Sequence, residues 1–307
     1  MKNAISIFLT LVLMGMIVTI YMVYGKVIEE MLNAYFSPPP EVTLGKVNEY
    51  YRNVDFDFVQ NTNYFIPDDM QDLLNIYYTV LNSGKTKFSF YCPKEYTTCL
   101  EDVKILANDQ NTLSDINNYV HPYNSFAHIE TEYDSLGRVN LTIKHAYTKK
   151  QIQEINEKIE SLYTLLVSEN NSEYKNIEII HDYIIDHSKY DSERAEKDDS
   201  PYHSDTAYGP LFEGYATCGG YTDLMELYLE KMNIKSFKVS SEEHVWNAVY
   251  YNNEWLHLDI TWDDPVVDDG SDHLTHNYFL IDTNRLHEME PTQHIFNEEH
   301  YYELKKF

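Results

Sequence analysis

The chain has 307 residues, room for one large or two modest domains, and 43% of them are hydrophobic, enough for a packed core. Its 50 acidic residues outnumber 23 basic ones, a net charge of −27, which would repel phosphate and argues against a nucleic-acid partner. Tyrosine is abundant at 28 and glycine scarce at 10, so long disordered tracts are not expected.

In chain order, Lys2 is followed by the uncharged run AISIFLTLVLMGMIVTIYMVY, residues 4–24. At about 1.5 Å per residue it spans roughly 30 Å, the thickness of a bilayer core. It is longer than the apolar stretch of a secretory signal, and it ends MVYGK, a poor cleavage site although Val23 and Gly25 could serve. The expectation is a single-pass transmembrane anchor over 1–25, with Lys2 favouring a cytoplasmic N-terminus and the following domains extracytoplasmic. Residues 26–41 read as a linker whose SPPPE, 37–41, makes a stiff extended spacer.

Residues 42–147 read as a mixed α/β domain with no assignable role. Helix is expected over 70–81 and 99–109, strand over 85–92, and two strands within 126–147 joined by a turn around Ser135–Gly137. Cys92 and Cys99 are close enough to close a small loop, as a disulfide in an oxidising compartment or as two thiols. His121, His128 and His145 are scattered and read as ordinary structural or surface residues. The rest, 148–307, opens with helices over 148–168 and 173–188, the second capped by Ser172, and an acidic loop over 191–205.

The chemistry gathers at GYATCGGYTDLMELYLEKMNI, residues 214–234. Tyr221, Leu224, Met225, Tyr228 and Met232 form one helical stripe, and Asn233 closes the helix before a strand. Cys218 therefore sits at a helix N-terminus, where the partial positive charge favours thiolate. Gly219 and Gly220 leave backbone accessible to a substrate carbonyl. The competing reading is a small buried hydrophobe. A nucleophile needs a base, and EEHVWNAVYYNNEWLHLDITWDD, 242–264, supplies candidates. Strands 244–251 and 254–261 flank an Asn252-Asn253 turn. With a two-residue turn, Ala248 faces His257, Trp246 faces Asp259 and His244 faces Thr261. His244 and Asp259 are then diagonal neighbours on one face, roughly 7–8 Å apart at the backbone, within reach of an imidazole and a carboxylate. Trp246 and His257 share that face, and His257 is the competing base. No His-x-x-x-His or paired Cys-x-x-Cys occurs, so neither a metal nor another cofactor is expected.

These segments, with HDYIIDHSKYD at 181–191 and NYFLI at 277–281, resemble the transglutaminase-like superfamily over about 174–290. Its bacterial members carry a Cys-x-Gly-Tyr motif at a helix start, a His-Ala-Trp-Asn strand and an Asp-x-Thr-Trp strand. The resemblance implies an α+β, papain-like core, with a cysteine-bearing helix packed on an antiparallel sheet. It also implies a Cys218–His244–Asp259 triad, with Gly219, Gly220, Tyr221 and Trp246 shaping the site. Gly219 stands where many relatives have Gln, and Val245 where most have Ala; neither removes a triad member. The expected function is a membrane-anchored, extracytoplasmic cysteine acyl-transfer enzyme acting on amide bonds of protein or cell-wall peptide. It would be a protease, an amidase or a transglutaminase; the alternative is an inactive surface binding module.

Overall fold

The computed structural model describes residues 2–36, 65–197, 199–265, 274–298 and 300–305. The expected spacer at 37–41 lies outside them. The chain divides into two compact units, Met1–Thr43 and Leu44–Phe307.

The described residues of the first unit form one helix, α1 (Lys2–Phe36). Its large apolar side chains from Val12 to Val27 are exposed. Among the described residues no helix is long and apolar enough to cross a membrane, so the span expected at 4–24 is not supported by the structure.

The first helix among the described residues of the second unit is α2 (Met70–Asn82), started by Asp69, whose side chain accepts from the Asp72 N–H. Strand β1 (Lys87–Tyr91) alternates exposed and buried residues as expected. Next come α3 (Cys99–Asn108) and α4 (Gln110–Asn117). The sequence reading missed α4, because Asp109 both ends the first helix and caps the second by accepting from Thr112 N–H. Cys92 and Cys99 are joined as a disulfide, which leaves Cys218 as the free cysteine. Strands β2 (Phe126–Tyr133) and β3 (Arg138–His145) complete an antiparallel sheet of order β1-β3-β2. Gly137 turns the hairpin at φ 94°, where a Cβ would meet the Cys92 carbonyl at 2.7 Å.

Helix α5 (Lys149–Leu166) opens with a Thr148–Gln151 capping box, and α6 (Glu173–His187) with the expected Ser172 cap. A two-residue strand, β4 (Lys189–Tyr190), precedes α7 (Ser192–Lys197), which lies inside the stretch expected to be a loop. Asp191 starts that helix by accepting from Arg194 N–H at 3.2 Å. Strand β5 (Tyr215–Ala216) pairs parallel with β4 and leads directly into α8 (Cys218–Lys231).

An antiparallel sheet follows, β6 (Ser236–Ser240), β7 (Val245–Tyr251) and β8 (Glu254–Leu258), in that order. Asn252 and Asn253 both have positive φ, 52° and 65°, the tight turn whose twist suits a two-residue hairpin. The expected register holds from Tyr251–Glu254 to Asn247–Leu258, with Ala248 opposite His257. It stops there. The strand expected to run to 261 ends at Leu258, because Asp259 caps the short helix α9 (Ile260–Asp263), and its own N–H turns to the Tyr278 carbonyl. Helix α10 (Thr283–Met289) comes last.

Helix α8 is buried on more than the expected stripe. Every residue from Gly220 to Leu229 is buried, while Met232 is only half-buried. Thr222 and Asp223 among them are matched: Thr222 donates to the Val245 carbonyl at 3.1 Å, and Asp223 receives Lys238 at 3.0 Å and the Tyr147 hydroxyl at 2.6 Å. The Tyr147 contact joins the early part of the unit to the helix that carries Cys218. Lys238 also donates to Ser125, and Asn118 donates to the Tyr301 hydroxyl at 2.8 Å.

Candidate active site

Cys218 is the first residue of α8 and is half-buried. Its N-terminal neighbour Thr217 does not cap the helix with its side chain. It donates instead to Asp205 at 3.0 Å and to the Ser204 carbonyl at 3.3 Å. The first-turn N–H groups of the helix are thereby left to face the thiol's surroundings. Gly220 does not serve the access expected of it. A Cβ there would lie 2.1 Å from the Ser204 carbonyl, so its missing side chain lets the 203–209 loop close onto the helix. Gly219 does line the cleft beside Cys218. Tyr221 is buried, and its hydroxyl donates to Asp264.

His244 lies just before β7, and Asp259 just after β8. The imidazole Nε2 is 2.6 Å from Asp259 Oδ2, and both groups are buried. Cys218 lines the same cleft as His244, close enough to act on the charge of its ring. Burial opposes charge on this ring. The Asp259 charge and hydrogen bond, with the contact to Cys218, overcome it and push the His244 pKa up to about 10. Asp259 is buried too, yet His244 and then His294 hold its carboxyl well below the usual carboxylate range.

The competing histidine is spoken for. Burial, then the charges of His294 and His287, push His257 down to about 3, so it is neutral. It accepts from Trp246 Nε1 at 2.9 Å on one nitrogen and meets Thr283 at 3.0 Å on the other. Trp246 shares the His244 face as expected, its ring stacked at 5.5 Å and 20°.

Sequence reasoning missed His294. Fully buried, it places Nε2 2.8 Å from Asp259 Oδ2, the oxygen that also holds His244. Its Nδ1 lies 3.3 Å from Glu290. Burial would raise the Glu290 pKa, but bonds from Thr292, Gln293 and His294 bring it down to about 2. No motif marks His294, which follows α10 in an irregular stretch; only its place among Trp246, Trp262 and Tyr278 identifies it.

Cys218, Gly219 and His244 open into a cleft of about 1140 Å³, lined also by Arg194, Lys238 and Asn118. A thiol at a helix start, an imidazole just ahead of a strand and a buried carboxylate behind it form the arrangement seen in cysteine-nucleophile enzymes. Residues 160–260 match the sequence model of the transglutaminase-like superfamily. Among solved structures, the crystal structure of a TGase overlaps at 17% identity and TM-score 0.31, over 45% of each chain. A Cytophaga hutchinsonii protein provisionally called a cysteine protease overlaps at 13% identity and TM-score 0.28, over 48% of this chain and 65% of that one. The chain thus spans less than two thirds of the length of either. No curated protein matches the sequence.

Proposed function

We propose that the protein is a cysteine acyl-transfer enzyme acting on amide bonds, with Cys218 as nucleophile, His244 as base and then acid, and Asp259 as the group that orients and charges His244. The observation that carries this reading is that Cys218 and His244 line one cleft, with the His244 ring held at 2.6 Å by the buried Asp259. The thiol proton passes to His244, and the thiolate attacks the amide carbonyl carbon. The C–S bond forms, and the carbonyl electrons move to oxygen, where the Cys218 N–H at the helix start can donate to it. As that oxyanion collapses, the C–N bond breaks and the amine leaves with the His244 proton. The resulting thioester is opened by water, giving an acid, or by an amine, giving a new amide; His244 removes the proton from either.

The substrate side of the proposal is an amide of a protein or cell-wall peptide, met outside the cell by a domain tethered through residues 4–24. Two observations support this placement. The described apolar side chains of α1 are exposed, which an aqueous surface does not favour. The Cys92–Cys99 bond suits an oxidising compartment.

The chemistry is tested by incubating the full chain with a protein substrate and a fluorescent primary amine, beside Cys218→Ala. Amine incorporation identifies transfer, and new peptide termini or released ammonia identify hydrolysis; either must vanish in Cys218→Ala. Product formed equally by that variant would overturn the reading. The placement is tested by protease shaving of intact cells, which should release a soluble fragment. A domain degraded only after lysis would be cytoplasmic.

A further inference from the structure

A second cluster of ligand-type side chains sits apart from the thiol. His181 and Asp182 are neighbours near the middle of α6, and His276 reaches them from 94 positions along the chain. One carboxylate oxygen, Asp182 Oδ1, is 3.0 Å from His181 Nδ1 and 2.7 Å from His276 Nε2. The three donor atoms all lie within 4.8 Å of one another. Two imidazole nitrogens and a carboxylate oxygen around one metal at about 2.0–2.1 Å would stand roughly 3.3 Å apart, so small side-chain shifts suffice.

The far side of His181 makes the case specific. Its Nε2 lies 3.3 Å from Asp263 Oδ2 without a hydrogen bond between them, and both side chains are wholly buried. A neutral imidazole carries one N–H. Kept on Nδ1 for Asp182, it leaves the Nε2 lone pair against the buried Asp263 carboxylate; placed on Nε2, it faces Asp263 and leaves the Nδ1 lone pair for a cation shared with Asp182 and His276. That is the arrangement of a metal-bound histidine backed by a carboxylate. Asp263 is itself fixed, accepting from Thr275 at 2.7 Å and from the Tyr278 N–H at 3.0 Å. His181 is enclosed, whereas Asp182 and His276 are one-third or more exposed. The cluster therefore has a buried anchor and a side open to solvent, where water can complete the coordination.

We propose that His181 Nδ1, Asp182 Oδ1 and His276 Nε2 bind one divalent cation of the borderline class that imidazole and carboxylate favour together, zinc foremost, with Asp263 orienting His181. The ion would tie α6 to the segment after residue 274, whose Tyr278 carbonyl holds the Asp259 N–H. The proposal does not depend on the chemistry of Cys218.

The test uses the full chain carrying Cys218→Ala, so that no free thiol binds metal. The protein is stripped with chelator and titrated with zinc chloride against a colorimetric zinc chelator, and melting is followed in parallel. One tight equivalent and a zinc-dependent rise in melting temperature are expected. Adding His276→Ala or Asp182→Asn should weaken that equivalent at least 100-fold and abolish the rise. Adding Asp263→Asn should weaken it by about 10–100-fold, the usual effect of losing such a backing group. His294→Asn, which alters the other histidine cluster, should leave it in place. If Asp263→Asn does not fold, His276→Ala, at a partly exposed position, still decides. No tight equivalent, or equal zinc binding with and without His276, would overturn the proposal and leave the cluster as a doubly charged hydrogen-bond network.

Discussion

Replacing Asp259 by Asn tests the central contact most directly. Oδ2 of Asp259 receives both His244 and His294, at 2.6 and 2.8 Å, while Oδ1 receives the Trp262 N–H at 3.3 Å. An asparagine has one accepting oxygen. If it faces the histidines, its NH2 opposes the Trp262 N–H; if it faces Trp262, two imidazoles lose their acceptor. In either pose the negative charge is gone. That charge heads the forces that hold the His244 pKa near 10 against burial. A return to the ordinary 6.5 is worth at most ~5 kcal/mol, at 1.36 kcal/mol per pH unit. If a little over half is felt in the rate-limiting step, ~3 kcal/mol, turnover falls by about 100-fold. Two measurements need no knowledge of the substrate. The His244 ring, followed by NMR in isotope-labelled protein, should titrate near 10 in the wild type and at least two pH units lower in Asp259→Asn. Alkylation of Cys218 by iodoacetamide at pH 6 should slow, because a less basic imidazole returns its proton to sulfur. An unmoved His244 titration, or alkylation within threefold of wild type, would refute the reasoning.

Other outcomes follow from the same geometry. His294→Phe keeps a ring beside Trp246 but removes a donor from Asp259; it should cost about 1–3 kcal/mol in chemical denaturation and lower turnover roughly tenfold. Burial first, then the charges of Asp223 and Glu230, raise the Glu226 pKa to about 8 despite Lys238. The unfolded chain ionises above the ordinary 4.5 while the folded chain keeps its proton, so stability falls as pH rises from 4.5 to 8. Glu226→Gln should remove that slope and stabilise by up to about 4 kcal/mol at pH 7.5, read from melting curves across pH. For the His244–Asp259 pair the signs differ. The contribution of His244, whose folded pKa is raised, is complete below 6.5 and lost as pH rises through about 10. That of Asp259, whose folded pKa is depressed, is complete above 3.8 and lost as pH falls. Asp259→Asn should therefore destabilise most between about pH 4 and 6.5. Trp246→Phe leaves the buried Nδ1 of His257 without its donor and should cost about 1–3 kcal/mol in urea denaturation.

The hairpin was legible because two asparagines fix a turn of even length, and a turn of even length fixes which side chains share a face. That alone brought His244, Trp246, His257 and Asp259 to one side. What followed the hairpin was not legible. Asp259 reads as the continuation of an alternating strand, and nothing local announces that it caps a helix turn instead. Helix α8 misled in another way. Thr222, Asp223 and Glu226 look like a solvent-facing side, but Asp223 and Thr222 are satisfied internally by Lys238, Tyr147 and a strand carbonyl. Partners 15 and 76 positions away leave no periodic trace. His294, Glu290 and His276 were missed for the same reason: each matters through a neighbour distant in sequence or in an irregular segment.

The bonds from Tyr147 and Ser125 to Asp223 and Lys238 bear on how this protein can be divided. A fragment starting at residue 148, the natural cut suggested by family resemblance, would keep Cys218, His244 and Asp259. It would also strip a buried carboxylate and a buried ammonium of partners, and open one wall of the cleft to water. Such a fragment would lose solubility before it lost its reactive group. A shortened form, whether made by a protease in the cell or by an engineer, should therefore retain residues 65–147, and a swap with a relative should exchange the companion segment and the core together.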